Sequence, residues 1–201
     1  MNNFGKIFSR AAILFIIFTI ICGVIYTLSI TGVSQILFPK QANGSIIEID
    51  GKKYGSTLLA QQYTDEKHLW GRIMNVDTDT FTDENGNKLA YAGPSNMSPA
   101  SDEYKKMVQE RIDMIKKANP EKGDEDIPVD IVTCSGSGLD PHISVAAAEY
   151  QVDRIAKNNE MSETEVENII KKYTKGKLFG VLGEKTVNVL EVNLALDGIL
   201  K

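Results

Sequence analysis

The sequence predicts a mixed α/β (α+β) domain carried on a single N-terminal transmembrane helix. Residues 11–31 hold no charged side chain, and twelve of these 21 residues are Ile, Leu, Phe or Val. At about 1.5 Å per residue such a helix is ~31 Å long, the thickness of a bilayer core. Beyond it, short stretches of strand character alternate with stretches whose apolar residues recur at helical spacing. No internal repeat or low-complexity linker divides the remainder. The organisation expected is a cytoplasmic tail over residues 1–10, the span and its exit over 11–38, and one extracytoplasmic domain over 39–201.

The twelve aliphatic and aromatic residues favour insertion by about 4 to 7 kcal/mol, an upper bound because off-centre positions count less. A cleaved signal peptide has a shorter apolar core and a small-x-small cleavage site. A lipoprotein signal places a small residue before its cysteine, whereas Ile21 precedes Cys22. Lys6 and Arg10 crowd the start of the helix, and no charge follows it until Lys40. The positive-inside rule then puts the N-terminus in the cytoplasm and the domain outside, a bias that Lys52 and Lys53 weaken.

Without Lys6 and Arg10 the domain keeps 20 basic residues against 27 acidic, a formal charge of −7. Nucleic-acid binding needs clustered positive charge, so this balance speaks against it. Cys22 lies in the span and Cys134 is the only cysteine of the domain. An internal disulfide and a thiolate zinc site are both excluded.

Along the domain, Ile46, Ile47 and Ile49 face Lys52-Lys53-Tyr54 across Asp50-Gly51, a hairpin signal. Residues 56–63 read as a short helix carrying Gln61 and Gln62. Trp70, in His68-Leu69-Trp70-Gly71-Arg72, is a core anchor or a recognition hot spot. Residues 75–92 form a solvated hairpin turning at Asn85-Gly86; their acids lack the full spacing of a calcium loop. Gly93-Pro94-Ser95-Asn96 is a turn, after which Ser98 and Pro99 open a helix with Met107, Val108, Ile112 and Ile115 on its buried face; Pro120 stops it. Residues 129–132 read as a buried strand, and Ser144 caps a helix over 145–159. Ser162 and Glu165 form a capping box for another, with Val166, Ile169, Ile170 and Tyr173 inward and Gly176 at its end. The apolar run 187–196 fits a strand in the middle of a sheet.

The densest chemistry lies in Thr133-Cys134-Ser135-Gly136-Ser137-Gly138-Leu139-Asp140-Pro141-His142-Ile143-Ser144. Gly136 and Gly138 are free to take backbone conformations closed to other residues, and Pro141 turns Asp140 away from helix. A hydrolase would recruit Ser135 or Ser137 as nucleophile and His142 as base. Triad members converge from separate segments, however, and the Gly-x-Ser-x-Gly elbow is one glycine short here. A phosphate nest over residues 136–139 lacks a Walker lysine and would meet the charge of Asp140. A metal site would need Asp140, His142 and His68. The structural alternative makes the loop a strand-to-helix corner in which Asp140 and Ser144 tie down amides and His142 is packed.

This loop resembles the signature of the KdpC family, the C subunit of the bacterial Kdp potassium-transporting P-type ATPase. The similarity extends through Leu37-Phe38-Pro39, Gln41-Ala42-Asn43-Gly44-Ser45, Trp70-Gly71-Arg72, Ser95-Asn96, Asn119-Pro120, Pro128-Val129-Asp130, Ala146-Ala147-Ala148 and Val187-Asn188-Val189-Leu190-Glu191-Val192-Asn193-Leu194-Ala195-Leu196-Asp197. Cys134 stands where alanine is usual, Ile73 replaces a common proline, and Pro94 interrupts a usual glycine pair.

The resemblance implies a non-catalytic accessory subunit of the cell membrane, partnered by a channel-like subunit, a P-type ATPase subunit, a small fourth subunit and the lipid bilayer. It further implies a catalytic chaperone that raises the ATP affinity of the ATPase subunit, with ATP reached through the complex. A glutamine is proposed to contact nucleotide in that family, and Gln61 and Gln62 are the candidates here. The loop residues Ser135, Gly136, Ser137, Gly138, Asp140, Pro141, His142 and Ser144 are then a fold and interface element, with Trp70 and Arg72 as further partner contacts. The competing expectation is a membrane-anchored extracytoplasmic enzyme working through Ser135 and His142.

Overall fold

The computed structural model describes residues 2–201. They form two compact units, one ending at Ile46 and one running from Ile47 to Lys201.

The first unit is a long apolar helix. α1 (Asn2–Phe18) passes through a π-helical stretch (Thr19–Tyr26) into α2 (Thr27–Leu37). The part long and apolar enough to cross a membrane is Phe4–Leu37, 34 residues, and none of its side chains is buried. It outlasts the uncharged core of residues 11–31 because Ser34 and Gln35, though polar, carry no charge and do not break a helix. Pro39 ends it by forcing Phe38 out of helical geometry (φ −136°). The short α3 (Pro39–Ala42) follows, and Gln35 and Asn43 exchange reciprocal amide hydrogen bonds across the elbow at 3.0 and 3.3 Å.

In the second unit β1 (Ile46–Ile49) pairs with β2 (Lys52–Ser56) around Asp50 and Gly51, both at positive φ as an Asp-Gly hairpin turn requires. β3 (Val76–Thr82) and β4 (Lys88–Ala92) make the expected antiparallel hairpin. Asp83 closes its tip by accepting the amides of Asn85 and Asn87, so this acid serves its own turn. α4 (Asp102–Ala118) buries Ile115, with Val108 and Ile112 packed beside it, and stops where Pro120 forbids another turn. A third sheet holds β5 (His142–Ser144), β6 (Thr174–Lys175) and β7 (Thr186–Asn188), with β7 central and antiparallel to both neighbours.

Around that sheet lie α5 (Val145–Glu149), α6 (Val152–Asn159), α7 (Glu163–Lys172) and α8 (Val189–Leu196). Ser144 caps α5 through the Ala147 amide, and the Ser162–Glu165 capping box opens α7. The main core gathers Leu69, Trp70, Ile115, Ile143, Ile155, Val166, Val187 and Val192, and a smaller one joins Ile47, Leu190 and Leu194.

Several expectations are corrected. Residues 56–63 are not helical. Ser56 Oγ accepts the Leu58 amide in a tight turn, and the Ala60 amide is drawn away to the Leu139 carbonyl. Residues 129–132 are not a strand: Val129–Ile131 is a 3₁₀ turn that points Asp130 inward. The cap of α4 is Ser101, not Ser98, because Ser98 and Pro99 close a preceding turn whose Ser98 carbonyl takes the Ser101 amide. The single helix expected over 145–159 breaks at Tyr150 and Gln151. There the Gln151 side chain takes the Ala147 carbonyl that its own amide would have used. α7 ends at Lys172, before Gly176.

The run 187–196 is strand only through Asn188 and helix thereafter. Asn188 caps α8 by accepting the Glu191 amide, and Gly198, at positive φ, closes it with the Ile199 amide on the Leu194 carbonyl.

Candidate functional site

The loop before β5 is a corner whose polar side chains are engaged by the chain itself. Ser135 Oγ accepts the Asp140 amide at 3.4 Å, and Ser137 Oγ accepts the Leu139 amide at 3.2 Å. Asp140 Oδ1 accepts the His142 amide at 2.9 Å, while its Oδ2 faces Arg72 Nε at 3.3 Å. Arg72 Nε also donates to the His142 carbonyl, which fixes the guanidinium over the corner. The buried Asp130 carboxylate receives Ser144 twice, from the amide at 2.5 Å and from the hydroxyl at 3.1 Å.

The two glycines differ. Gly138 sits at φ +71°, and a Cβ there would lie 2.4 Å from the Gly93 carbonyl oxygen and 2.7 Å from that of Asn75. The Asn75 amide donates to the Gly138 carbonyl, so two backbones touch where only hydrogen fits. Gly136 has open space around it and needs no special conformation.

His142 pairs with Asn188 in the β5–β7 ladder, and its Nδ1 lies 3.5 Å from Asp140 Oδ1. Burial and the charge of Lys175 together lower its pKa in spite of Asp140, so the ring is neutral near pH 7. No hydrogen bond joins either serine to His142 among the described residues, and the hydroxyls serve backbone amides instead. The geometry therefore gives nucleophilic chemistry no support. His68 is not brought to Asp140 and His142; it is held elsewhere, between Asp65 (2.8 Å) and Asp197 (3.0 Å). Among the described residues no group of three or more His, Cys, Asp and Glu side chains is gathered for a metal ion. A shallow cleft beside the corner is lined by Arg72, Asp130, Asp140, His142, Glu184 and Lys185.

The model of the family described as "K+-transporting ATPase, c chain" matches residues 8–198. A Clostridium botulinum protein named "Potassium-transporting ATPase KdpC subunit" is 74% identical over 201 residues, the whole of both chains. Proteins of the same name from Clostridium perfringens (61% over 196 residues, 98% of this chain and 99% of the other) and Methylococcus capsulatus (43% over 192, 96% and 97%) are also similar. The chain belongs to the KdpC family.

In this KdpC-family chain Gln61 donates to the Tyr54 carbonyl at 2.7 Å and is half-buried, whereas Gln62 is exposed. Both lie just beyond Ala60, whose amide bonds to Leu139 of the corner, so the candidate glutamines and the loop are neighbours.

Trp70 takes the core alternative. It is only 4% exposed, its Nε1 donates to the Asp65 carbonyl at 2.6 Å, and its ring lies near the guanidinium groups of Arg154 (4.7 Å) and Arg111 (5.5 Å). Within this chain the ring leaves little surface for a partner. Arg72 stays partly exposed beside Asp140.

The sequence reading missed the buried polar residues that hold this region. Asn193 and Gln151 clamp the backbone of Leu69 and Trp70, Asn188 binds the Thr57 carbonyl, and Arg154 gathers the carbonyls of Asp65, Glu66 and His68. Their signal was present: uncharged amides and one arginine stand at positions flanked by apolar residues, where only apolar residues need be buried.

Proposed function

We propose that this KdpC-family chain is a non-catalytic accessory subunit of a potassium-transporting P-type ATPase. Its loop of residues 133–144 serves as a rigid corner that docks on a partner subunit. The observation carrying this reading is the closure of the loop's polar groups on its own backbone, which leaves a fixed surface and no free nucleophile–base pair. The relatives carry the name of a subunit of a potassium-transporting ATPase, and full-length similarity to them supports the same assembly here.

The proposed topology is a cytoplasmic tail (1–10), a span with its exit (11–38) and an extracytoplasmic domain (39–201), on the strength of Lys6 and Arg10 at one end of the helix. Cytoplasmic ATP is then a membrane away from the domain. Any increase in the ATP affinity of the ATPase subunit is a coupling free energy carried through subunit contacts. Gln62, exposed beside the corner, serves as a partner contact in this arrangement and not as a nucleotide ligand. The domain's charge of −7 raises the local cation concentration, with a reach of about 8 Å in physiological salt.

Affinity purification of the tagged chain in mild detergent tests the role. The channel-like and ATPase subunits should come with it, and the Arg72→Ala/Asp140→Ala variant should lose them while its domain still melts cooperatively. Intact assembly with lost turnover of a separate substrate would favour the enzyme reading. Protease added to intact spheroplasts should remove the domain; a protected domain would overturn the topology.

A further inference from the structure

The ten residues between β6 and β7 form a loop whose apolar side chains face outward. Leu178, Phe179, Val181 and Leu182 are 62, 86, 76 and 58% exposed, and Phe179 is the most exposed large apolar residue described. The loop is built, not slack. Leu178 and Leu182 exchange both backbone hydrogen bonds, at 2.8 and 3.0 Å, and the Val181 amide bonds to the Leu178 carbonyl. Phe179 and Gly180 at its tip both have positive φ, +53° and +77°. Such a turn favours Asn-Gly. A phenylalanine there holds a strained backbone and an unburied ring together, with no compensating contact inside the domain.

The surrounding charge is segregated. The domain as a whole is acidic, yet residues 171–185 carry Lys171, Lys172, Lys175, Lys177 and Lys185 against Glu184 alone. Lys177 is held by Glu184 at 3.1 Å; Lys175 and Lys185 stand exposed at the foot of the loop. An apolar tip above a lysine collar matches a bilayer interface, with chains below and anionic headgroups at the collar. A bilayer is always near, because the chain carries its own span. α2 ends at Leu37 and β1 opens at Ile46, so only a short connection separates the helix from the domain. A domain of this size has a radius of gyration of about 15 Å.

We propose that the loop tip Leu178-Phe179-Gly180-Val181-Leu182 is a second membrane contact, entering the interfacial layer of an anionic bilayer while Lys175 and Lys185 bind its headgroups. It steadies the domain at the membrane independently of the transmembrane helix. Insertion to about 5–10 Å is the depth such interfacial segments reach.

The test uses the full chain reconstituted in vesicles of phosphatidylcholine with phosphatidylglycerol, some lipids brominated at shallow or deep acyl positions. Trp70 is the only native tryptophan and is buried in the domain, so its emission is the background. In the Phe179→Trp variant the added indole should be blue-shifted and quenched, more by shallow than by deep bromines. Val181→Trp should behave alike and guards against a tip that rejects the first change. Quenching should weaken when Lys175→Glu and Lys185→Glu are added or when phosphatidylglycerol is omitted. Added indoles that stay unquenched in both variants overturn the proposal. So does an added indole that becomes shielded only when the other transporter subunits are present, an outcome that assigns the tip to a protein partner.

Discussion

Gln151 pairs with Trp70 as one strand pairs with another. Its Oε1 accepts the Trp70 amide at 2.9 Å and its Nε2 donates to the Trp70 carbonyl at 3.0 Å. One residue earlier, Asn193 does the same for Leu69, at 2.7 and 2.9 Å. An extended buried segment thus satisfies its backbone on two side-chain amides, one from the break between α5 and α6 and one from α8, in place of a sheet. Removing either amide orphans a buried donor and acceptor at about 1–3 kcal/mol each. Gln151→Leu and Asn193→Leu are each expected to lose about 2–5 kcal/mol, read by denaturant titration of the fluorescence of Trp70.

Arg154 closes the same region from the other side. It donates to Asn119, to Gln151 and to the carbonyls of Asp65, Glu66 and His68 while stacking on Trp70. Burial lowers its pKa to about 10, still far above neutrality. Arg154→Ala should cost at least about 3 kcal/mol, because charge-assisted bonds are lost together with packing. Arg154→Lys should recover only a minor part, since an ammonium cannot serve five acceptors in a plane. Thermal melting of the three proteins in one detergent checks the order.

The corner makes opposite demands on its two glycines. Gly138→Ala is expected to destabilise by about 2–5 kcal/mol, from the left-handed backbone and the contact with Gly93. Gly136→Ala should be neutral or stabilising by up to about 1 kcal/mol, through the unfolded chain. Equal effects in chemical denaturation would contradict the geometry.

His68 sets a pH dependence. Burial opposes its charge, but hydrogen bonds and charges from Asp65 and Asp197 prevail and raise its pKa. The unfolded imidazole titrates near 6.5, so the clamp's contribution is complete below that pH and is lost as pH rises through the higher folded value. Melting temperature should fall over this window, and His68→Gln should flatten that part of the profile. His142 has a lowered pKa from burial and Lys175, so its contribution has the opposite sign. His142→Gln should leave the alkaline fall in place.

Where local chemistry decides the structure, the sequence was readable. The apolar span, the Asp50-Gly51 and Asn85-Gly86 hairpins, the stop at Pro120 and the Ser144 and Ser162 caps all follow from one short window each. The errors arose where a distant group decides. Ala60 leaves a helix because Leu139 claims its amide, and Val129–Ile131 turns because Asp130 is wanted by Ser144. The run 187–196 was ambiguous by periodicity, yet Asn188 three residues before Glu191 was a helix start in plain view. In the loop of residues 133–144 the turn before α5 was legible, but the strand expected to enter it is a 3₁₀ turn and a strand, β5, lies within it. The loop's attachment to Asn75, Gly93, Asp130 and Val189 was not legible, because those contacts join segments far apart in sequence.

The most direct test of the accessory role is to add the purified chain to transporter assembled without it and to follow potassium-stimulated ATP hydrolysis against ATP concentration. The account predicts that the chain alone hydrolyses nothing and that its addition lowers the KM for ATP. The Ser135→Ala/Ser137→Ala variant should do so as well as the parent, because the two hydroxyls of the parent bond only each other and backbone amides of the loop. ATP hydrolysis unchanged by the chain, or an effect abolished with those two hydroxyls while assembly stays intact, would contradict it.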